Sequence, residues 1–206
     1  MLNCLFDELF IDILKYFAGA LFLSAIAVPL TARVSQKIGY VDSPQGDVLK
    51  IHEKSVPHSG GVAIFSLFSI ILLFYGQLLN LPITGLLAGG GIAFLIGVWD
   101  DVKQTSPFTR LIGVLFAGIV MLISDNVIKG SIWIGFPLSL FYVLGAINAF
   151  NMQDGVDGLA GGLAILSFMG FGLISLITGQ SSLLLIAIFI CGLTAGFLIY
   201  NFNPAT

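Results

Sequence analysis

Apolar residues along this chain come in runs and do not alternate with polar ones. Nearly unbroken apolar stretches cover 16–32, 60–79, 82–99, 159–178 and 183–200. Each is close to the roughly 17–25 residues that cross a hydrocarbon core about 30 Å thick. The first run is too long and too rich in Phe for a signal-peptide core. Asp7, Glu8 and Asp12 also precede it where a basic start would stand. Between Arg110 and Phe150 the pattern is weaker. It divides into shorter spans at 109–123 and 137–150, around a polar excursion carrying Asp125, Asn126, Lys129 and Pro137. Strand-like residues flank a turn signal in Val-Ile-Lys-Gly-Ser-Ile-Trp-Ile-Gly, so a small hairpin at 127–136 is a further expectation. The pattern therefore predicts an all-α, polytopic membrane helical bundle of about seven transmembrane helices, a single membrane domain over 1–206.

The seven-helix count carries a prediction about sidedness. Polar segments at 33–59, 100–110, 151–158 and 201–206 are separated pairwise by two helices, so all four fall on one side of the membrane. Basic residues test this independently. Arg33, Lys37, Lys50, Lys54, Lys103 and Arg110 all lie in those segments, leaving Lys15 and Lys129 for the other face. Excess Lys and Arg mark the cytoplasmic side. The expectation is a multi-pass plasma-membrane protein with its polar segments in the cytoplasm and its N-terminus outside.

Composition closes off the soluble alternatives. Hydrophobic residues make up 57% of the 206 and charged residues 9%, against roughly 25% charged in a soluble globular domain. Eight Lys and Arg against eleven Asp and Glu leave no basic face for nucleic acid. Cys4 and Cys191 lie at opposite ends in or beside apolar runs, where they read as small hydrophobes.

Charges this scarce are informative where they cluster at helix ends. Asp100 and Asp101 follow the run Gly91–Trp99. Adjacent carboxylates repel each other and so favour a cation or a proton nearby. The stretch from Asn148 to Gly162 is denser. On a helix, Asn148, Asn151 and Asp154 fall at i, i+3 and i+6, within about a third of a turn, with oxygens suited to a hard cation such as Mg²⁺. Gly155, Gly158, Gly161 and Gly162 permit a backbone break and close approach of a ligand. The helix starting after Gly158 offers N–H groups to phosphate oxygens. In the loop after the first helix, Lys50 and Lys54 offer anion contacts. His52 and His58, six residues apart with no cysteine, do not match a zinc spacing. Arg110, nine residues after Asp101, reads either as a phosphate contact or as one more positive-inside residue.

Four stretches in order resemble the polyprenyl-phosphate N-acetylhexosamine-1-phosphate transferases. They are Asp42-x-Pro44 with Lys50-x-His52 and Pro57-x-x-Gly60-Gly61; Gly97-x-x-Asp100-Asp101; Asn148-x-x-Asn151-x-x-Asp154-Gly155-x-Asp157-Gly158-Leu159; and Tyr200-Asn201-x-x-Pro204-Ala205. The third looks most like the branch that uses UDP-N-acetylglucosamine or a related UDP-sugar. The resemblance implies transfer of an N-acetylhexosamine 1-phosphate from a UDP-sugar to undecaprenyl or another polyprenyl phosphate. UMP is released, Mg²⁺ (or Mn²⁺) is required, and a surface polysaccharide is initiated. It also implies residue roles. Asn151 becomes a Mg²⁺ ligand, and Asp100 and Asp101 the catalytic pair near the acceptor phosphate, where either deprotonates the acceptor or orients a basic group. Arg110 becomes a phosphate contact. Asn148, Asp154, Gly155 and Asp157 stand on the substrate side, and Lys50 and His52 support the first loop.

Two departures from the family pattern stand out. The usual Arg-Lys-x-His is Leu49-Lys50-Ile51-His52 here. The family also continues beyond the Tyr200-Asn201 segment into a Phe-x-Gly-Asp-x-Gly-Ser element, whose Asp is another Mg²⁺ ligand, and a His-containing nucleotide-binding loop. The expectation is that residues 1–206 are the N-terminal part of a larger transferase and are inactive alone. Two competing readings are a non-catalytic truncated membrane paralogue and an ion-coupled transporter with acids in a glycine-broken helix. The second predicts acids near the bilayer midplane.

Overall fold

The computed structural model describes residues 2–42, 56, 57, 59–76, 83–124, 128 and 131–202. Among them are seven α-helices: α1 (Leu2–Ile38), α2 (Gly60–Tyr75), α3 (Ile83–Lys103), α4 (Pro107–Ile123), α5 (Ile132–Gln153), α6 (Leu159–Thr178) and α7 (Ser181–Asn201). A two-residue antiparallel ladder joins β1 (Val41–Asp42) to β2 (Val56–Pro57), with Val41 opposite Pro57 and Asp42 opposite Val56. Five helical segments are long and apolar enough to cross a membrane: Leu9–Ile38, α3, α5, α6 and α7. The shorter α2 and α4 are also apolar. The protein is an all-α, multi-pass membrane protein.

Hydrophobicity marks where a helix lies in lipid, but backbone hydrogen bonding decides where it ends. α1 spans 37 residues against the 16–32 expected from its apolar run. At 1.5 Å per residue it is about 55 Å long, well beyond the hydrocarbon core. Its polar start stays helical, with Lys15 paired to Asp12 at 3.3 Å one turn away. Its end is set by Gly39 at φ +76°, where the Tyr40 N–H reaches the Ser35 carbonyl (2.8 Å) and the Gly39 N–H that of Gln36 (3.3 Å). This is the left-handed closure that a residue without a Cβ adopts freely.

The expected hairpin at 127–136 is not formed where it can be checked. Ile132 to Phe136 make the first turn of α5, with Ser131 at its N-cap. Residues 125–127, 129 and 130 lie outside the described residues. Pro137 does not start α5 but sits inside it, because a proline this near a helix start forgoes only the bond to the Trp133 carbonyl. The Ser139 hydroxyl gives to Gly135 O at 2.7 Å and takes the Ile128 N–H at 2.8 Å, tying the incoming chain to the helix.

The chain divides into two compact units, residues 1–68 with 156–206 and residues 69–155. In the first unit α7 packs between α1 and α6, and small residues allow close approach. A Cβ on Gly192 would lie 2.6 Å from Phe17 O and 2.7 Å from Ala20 Cβ. One on Gly196 would lie 2.5 Å from Leu21 O and 2.7 Å from Ser24 Cβ. Lipid offers no hydrophobic drive between helices, so such dispersion contacts hold them together. Phe17, Leu21 and Ala25 pass Gly192, Gly196 and Tyr200 in the same order, so α1 and α7 run parallel. Gly161 faces Leu198, and Ile165 O receives the Cys191 thiol at 3.7 Å, so α6 runs antiparallel to α7. The end of α1, the start of α6 and the end of α7 therefore lie together.

Pro29, inside α1, has no N–H for the Ala25 carbonyl. Tyr200 Oη donates to that oxygen at 2.8 Å. A buried carbonyl left unpaired in a membrane would be costly, and here a second helix satisfies it.

In the second unit α4 packs on α3 and α5 around buried Val114, Ala117 and Leu122. Gly118 faces Leu140 and Val143, while the α5 start meets the chain leaving α4 through Ser139 and Ile128. The two helices are thus antiparallel. Arg110 lies about 12 Å up α4 from Gly118 and Asn151 about 12 Å along α5 from Val143. The end of α3, the start of α4 and the end of α5 share one end of this unit.

Candidate active site

Asp100 and Asp101 occupy the last turn of α3, and three residues (104–106) connect it to α4. Asp100 closes this turn. Its Oδ1 accepts the Thr105 N–H at 2.9 Å and the Thr105 hydroxyl, and its Oδ2 accepts Arg110 Nη1 at 3.2 Å. The backbone reverses through Gln104 at φ +46°, an uncommon conformation for a residue with a Cβ. Its amide still reaches Asp100 O at 2.7 Å. Ser106 then caps α4 by accepting the Thr109 N–H at 3.2 Å, ahead of Pro107 at the first helical position. The sequence expects a cation or a proton beside the two aspartates, and the structure gives Asp100 the Arg110 guanidinium together with Thr105. Adjacent helical positions are rotated by about 100°, so the exposed Asp101 takes a different direction. The side chains of Asp100 and Arg110 are 20% and 33% exposed, so the pair is shielded from water more than a surface pair would be.

The strip predicted on α5 is present. Asn148, half-buried, gives its amide to Leu144 O at 2.8 Å. Asn151 is exposed in the last turn, and the exposed Asp154 caps the helix end. Gly155 has open space where a Cβ would stand. These residues share the unit end that carries Asp100 and Arg110. Half-buried Asp157 belongs to the other unit, in the turn before α6. Gly158 there has φ +76° and starts the helix, and its N–H is received by Asn201 Oδ1 at 3.1 Å. Gly161, expected as a place for a ligand to approach, is filled by Leu198 and serves packing between α6 and α7. Lys50 and His52, together with Pro204 and Ala205, lie outside the described residues. The β1–β2 ladder brings together the two ends of the loop that carries Lys50 and His52.

Asp100, Asp101, Asp154 and Asp157 all lie at helix ends or in turns, not mid-helix. An ion-coupled transporter would carry such acids in mid-helix, and none of these four is placed so. Among the described residues no three His, Cys, Asp or Glu side chains converge as a ready metal cage. Mg²⁺ does not require one, since it is commonly held through one or two protein oxygens, water and substrate phosphates. Asn151 and Asp154 fit that demand: both are exposed oxygen donors at the carbonyl-bearing, negative end of α5.

Residues 83–206, from the start of α3 through α7, match the model of glycosyl transferase family 4. The chain belongs to this family. Over 212 positions it is 30% identical to the probable undecaprenyl-phosphate N-acetylglucosaminyl 1-phosphate transferase of Bacillus subtilis (strain 168), covering 97% of this chain and 58% of that relative. It is 36% identical over 166 positions to the undecaprenyl-phosphate alpha-N-acetylglucosaminyl 1-phosphate transferase of Escherichia coli O157:H7 (73% and 44%). The protein of that name from Yersinia pestis is 35% identical over 179 positions (80% and 48%). The chain spans about half the length of the curated relatives it matches. The family's matched segment contains both the α3–α4 turn and the α5–α6 connection. Thr105 and Asn201 carry no role in the sequence reading. An acid five residues before a Thr-Ser-Pro helix start is the local signal for Thr105, whereas nothing nearby in sequence marks the partner of Asn201.

Proposed function

We propose that the protein transfers an N-acetylhexosamine 1-phosphate, N-acetylglucosamine 1-phosphate first among them, from a UDP-sugar to a polyprenyl phosphate such as undecaprenyl phosphate. An oxygen of the lipid phosphate attacks the β-phosphorus of the donor. As that P–O bond forms, the bond from the β-phosphorus to the oxygen bridging to the α-phosphate breaks, and its electron pair leaves with UMP. The products are a polyprenyl-diphosphate sugar that starts a cell-surface polysaccharide, and UMP. Two anions must meet, so the protein's work is positioning and charge offset.

The α3–α4 turn is the observation that carries this reading. Arg110 is held rigid by Asp100 (3.2 Å) and can present its remaining guanidinium N–H groups to a phosphate. Asp101, on the exposed side of α3, is the acid suited to take the acceptor's proton or to orient a basic group beside it. Asn151, with Asp154 next to it, would hold Mg²⁺ (or Mn²⁺). When bound, that ion would supply positive charge to the donor diphosphate. Asn148 and Gly155 at the end of α5, and Asp157 in the turn before α6, are assigned to the nucleotide-sugar, and Lys50 and His52 would serve the same substrate from the loop before α2. The lipid arrives through the bilayer and the nucleotide from water, so the site faces the cytoplasm, with the N-terminus outside. Arg33, Lys37, Lys103 and Arg110 at the corresponding helix ends support that orientation.

The decisive experiment gives the intact protein in nanodiscs undecaprenyl phosphate, Mg²⁺ and a panel of UDP-sugars, and follows UMP. UDP-N-acetylglucosamine should yield UMP and a labelled lipid. Asp101→Asn should lower kcat by about 10²–10⁴-fold, the span typical of lost general acid–base catalysis. Failure of the wild type to release UMP with every UDP-N-acetylhexosamine would overturn the reading.

A further inference from the structure

Asn201 ends α7 with a side-chain bond that the proposed chemistry does not use. Its carboxamide oxygen takes the Gly158 N–H at 3.1 Å, across 43 positions of sequence. Gly158 starts α6 in the left-handed region (φ +76°), and a Cβ there would press on Phe202 Cδ2 at 3.3 Å, so the turn is tightly specified. The preceding residue is Asp157. The N–H of a helix-starting residue needs an acceptor from outside the helix, and at this one the acceptor comes from another helix. Asn201 is itself fixed from both sides. The neighbouring Tyr200 hydroxyl donates to the Ala25 carbonyl at 2.8 Å, and the following Phe202 amide donates to Leu198 O at 2.9 Å. A neutral carboxamide supplies an acceptor without adding a second negative charge beside Asp157 or at the negative end of α7.

We propose that Asn201 is a positioning residue: it holds the Gly158 amide so that Asp157 is set at the start of α6 to meet a uridine nucleotide. This rests on the reading above that Asp157 contacts the nucleotide. In this role Asn201 acts through the turn.

The test uses the intact protein in nanodiscs with three readouts: hydrogen exchange at Gly158, the Kd for UDP by calorimetry, and UMP release. Asn201→Leu keeps the shape and removes the acceptor. Loss of one hydrogen bond of this kind should speed Gly158 exchange about tenfold and weaken UDP about five- to tenfold. Asn201→Asp restores the acceptor and should return Gly158 exchange to within about twofold of the wild type, which separates a lost hydrogen bond from a damaged fold. Unchanged exchange in Asn201→Leu overturns the proposal. So does equal loss of protection in Asn201→Leu and Asn201→Asp, or a UDP affinity indifferent to Asn201→Leu. A wild type that binds UDP but releases no UMP sinks the transferase reading and leaves this inference standing. A wild type that does not bind UDP sinks both.

Discussion

The α3–α4 turn and the paired ends of α6 and α7 each fix an acidic helix end, by opposite means. At the turn a charge does the holding: Asp100 gathers Thr105 and Arg110, five and ten residues further along. Between α6 and α7 the ties are neutral and distant. Gly158 meets Asn201 over 43 positions, and Ala25 meets Tyr200 over 175. A local tie forms as soon as its turn forms, because little loop entropy opposes it. A distant one lasts only while the helices that carry it stay packed. The turn is thus a self-contained device for aiming Arg110, whereas the Asp157–Gly158 turn depends on the close approach of α1 to α7.

That dependence gives the largest expected effect. Gly196→Leu puts a side chain against Leu21 O (2.5 Å) and Ser24 Cβ (2.7 Å), where backbone cannot step aside. Overpacking of this kind costs about 3 kcal/mol or more. Thermal melting in nanodiscs should fall accordingly. Exchange at Gly158 should quicken while the Thr105 amide stays as slow as in the wild type. If Thr105 responds as strongly as Gly158, the two ends are not independent and the contrast between them fails.

The converse experiment is Asp100→Ala. It strips Thr105 of its acceptor and leaves Arg110 without its partner, at a cost of about 2 kcal/mol for a part-buried network. Thr105 exchange should rise and Gly158 should not. Arg110→Lys should do less, about 0.5–1 kcal/mol, since a single ammonium replaces a planar fork in a pair still partly open to water. An Asp100→Ala variant with an unchanged melt and unchanged Thr105 exchange would mean that the carboxylate does not close the turn.

Gly158→Ala probes the neutral end with a single methyl. The left-handed φ of +76° and the Phe202 ring at 3.3 Å both oppose it, at roughly 1–2 kcal/mol. A melt within error of the wild type would show that the turn relaxes to another conformation, and the tight specification argued for it would go.

What the chain disclosed in advance follows the same division between local and distant. The apolar runs overlap each of the seven helices found among the described residues, because apolar composition is written residue by residue. The bounds of α6 at 159–178 agree with the run itself, since Gly158 and Gly179 stop the helix where the apolar residues stop. α1 overran its expected span because polar residues such as Lys15, Arg33, Gln36 and Lys37 are good helix formers although they lie outside the apolar run. The 127–136 hairpin is not formed over the described residues 131–136, because β-branched residues beside a turn signal also enter a helix when tertiary packing decides. Asp100, Asp101, Arg110, Asn151 and Asp157 were visible as rare polar groups in an apolar chain. That a cation would stand beside the aspartates was legible too, but not that Arg110 and Thr105 would both go to Asp100, because that arrangement depends on the Gln104 turn. No pattern along the chain joins Pro29 to Tyr200 or Gly158 to Asn201.

The smallest predicted effect isolates one of those distant ties. Pro29 leaves the Ala25 carbonyl without its helical donor, and Tyr200 replaces it. Tyr200→Phe should therefore cost about 1 kcal/mol in the wild-type background, the worth of one hydrogen bond to a carbonyl that is otherwise unpaired. Pro29→Ala returns an N–H to position 29, which can bond Ala25 O along the helix. In that background the same Tyr200→Phe change removes only a second bond to an oxygen already satisfied, and it should cost about half as much or less. The double-mutant cycle, read from melting midpoints in nanodiscs, should therefore show a coupling of about 0.5 kcal/mol. Additive costs would mean that the Tyr200 hydroxyl anchors α7 on α1 for reasons unrelated to the proline. No cost in either background would mean that α1 and α7 are held by their small-residue packing alone.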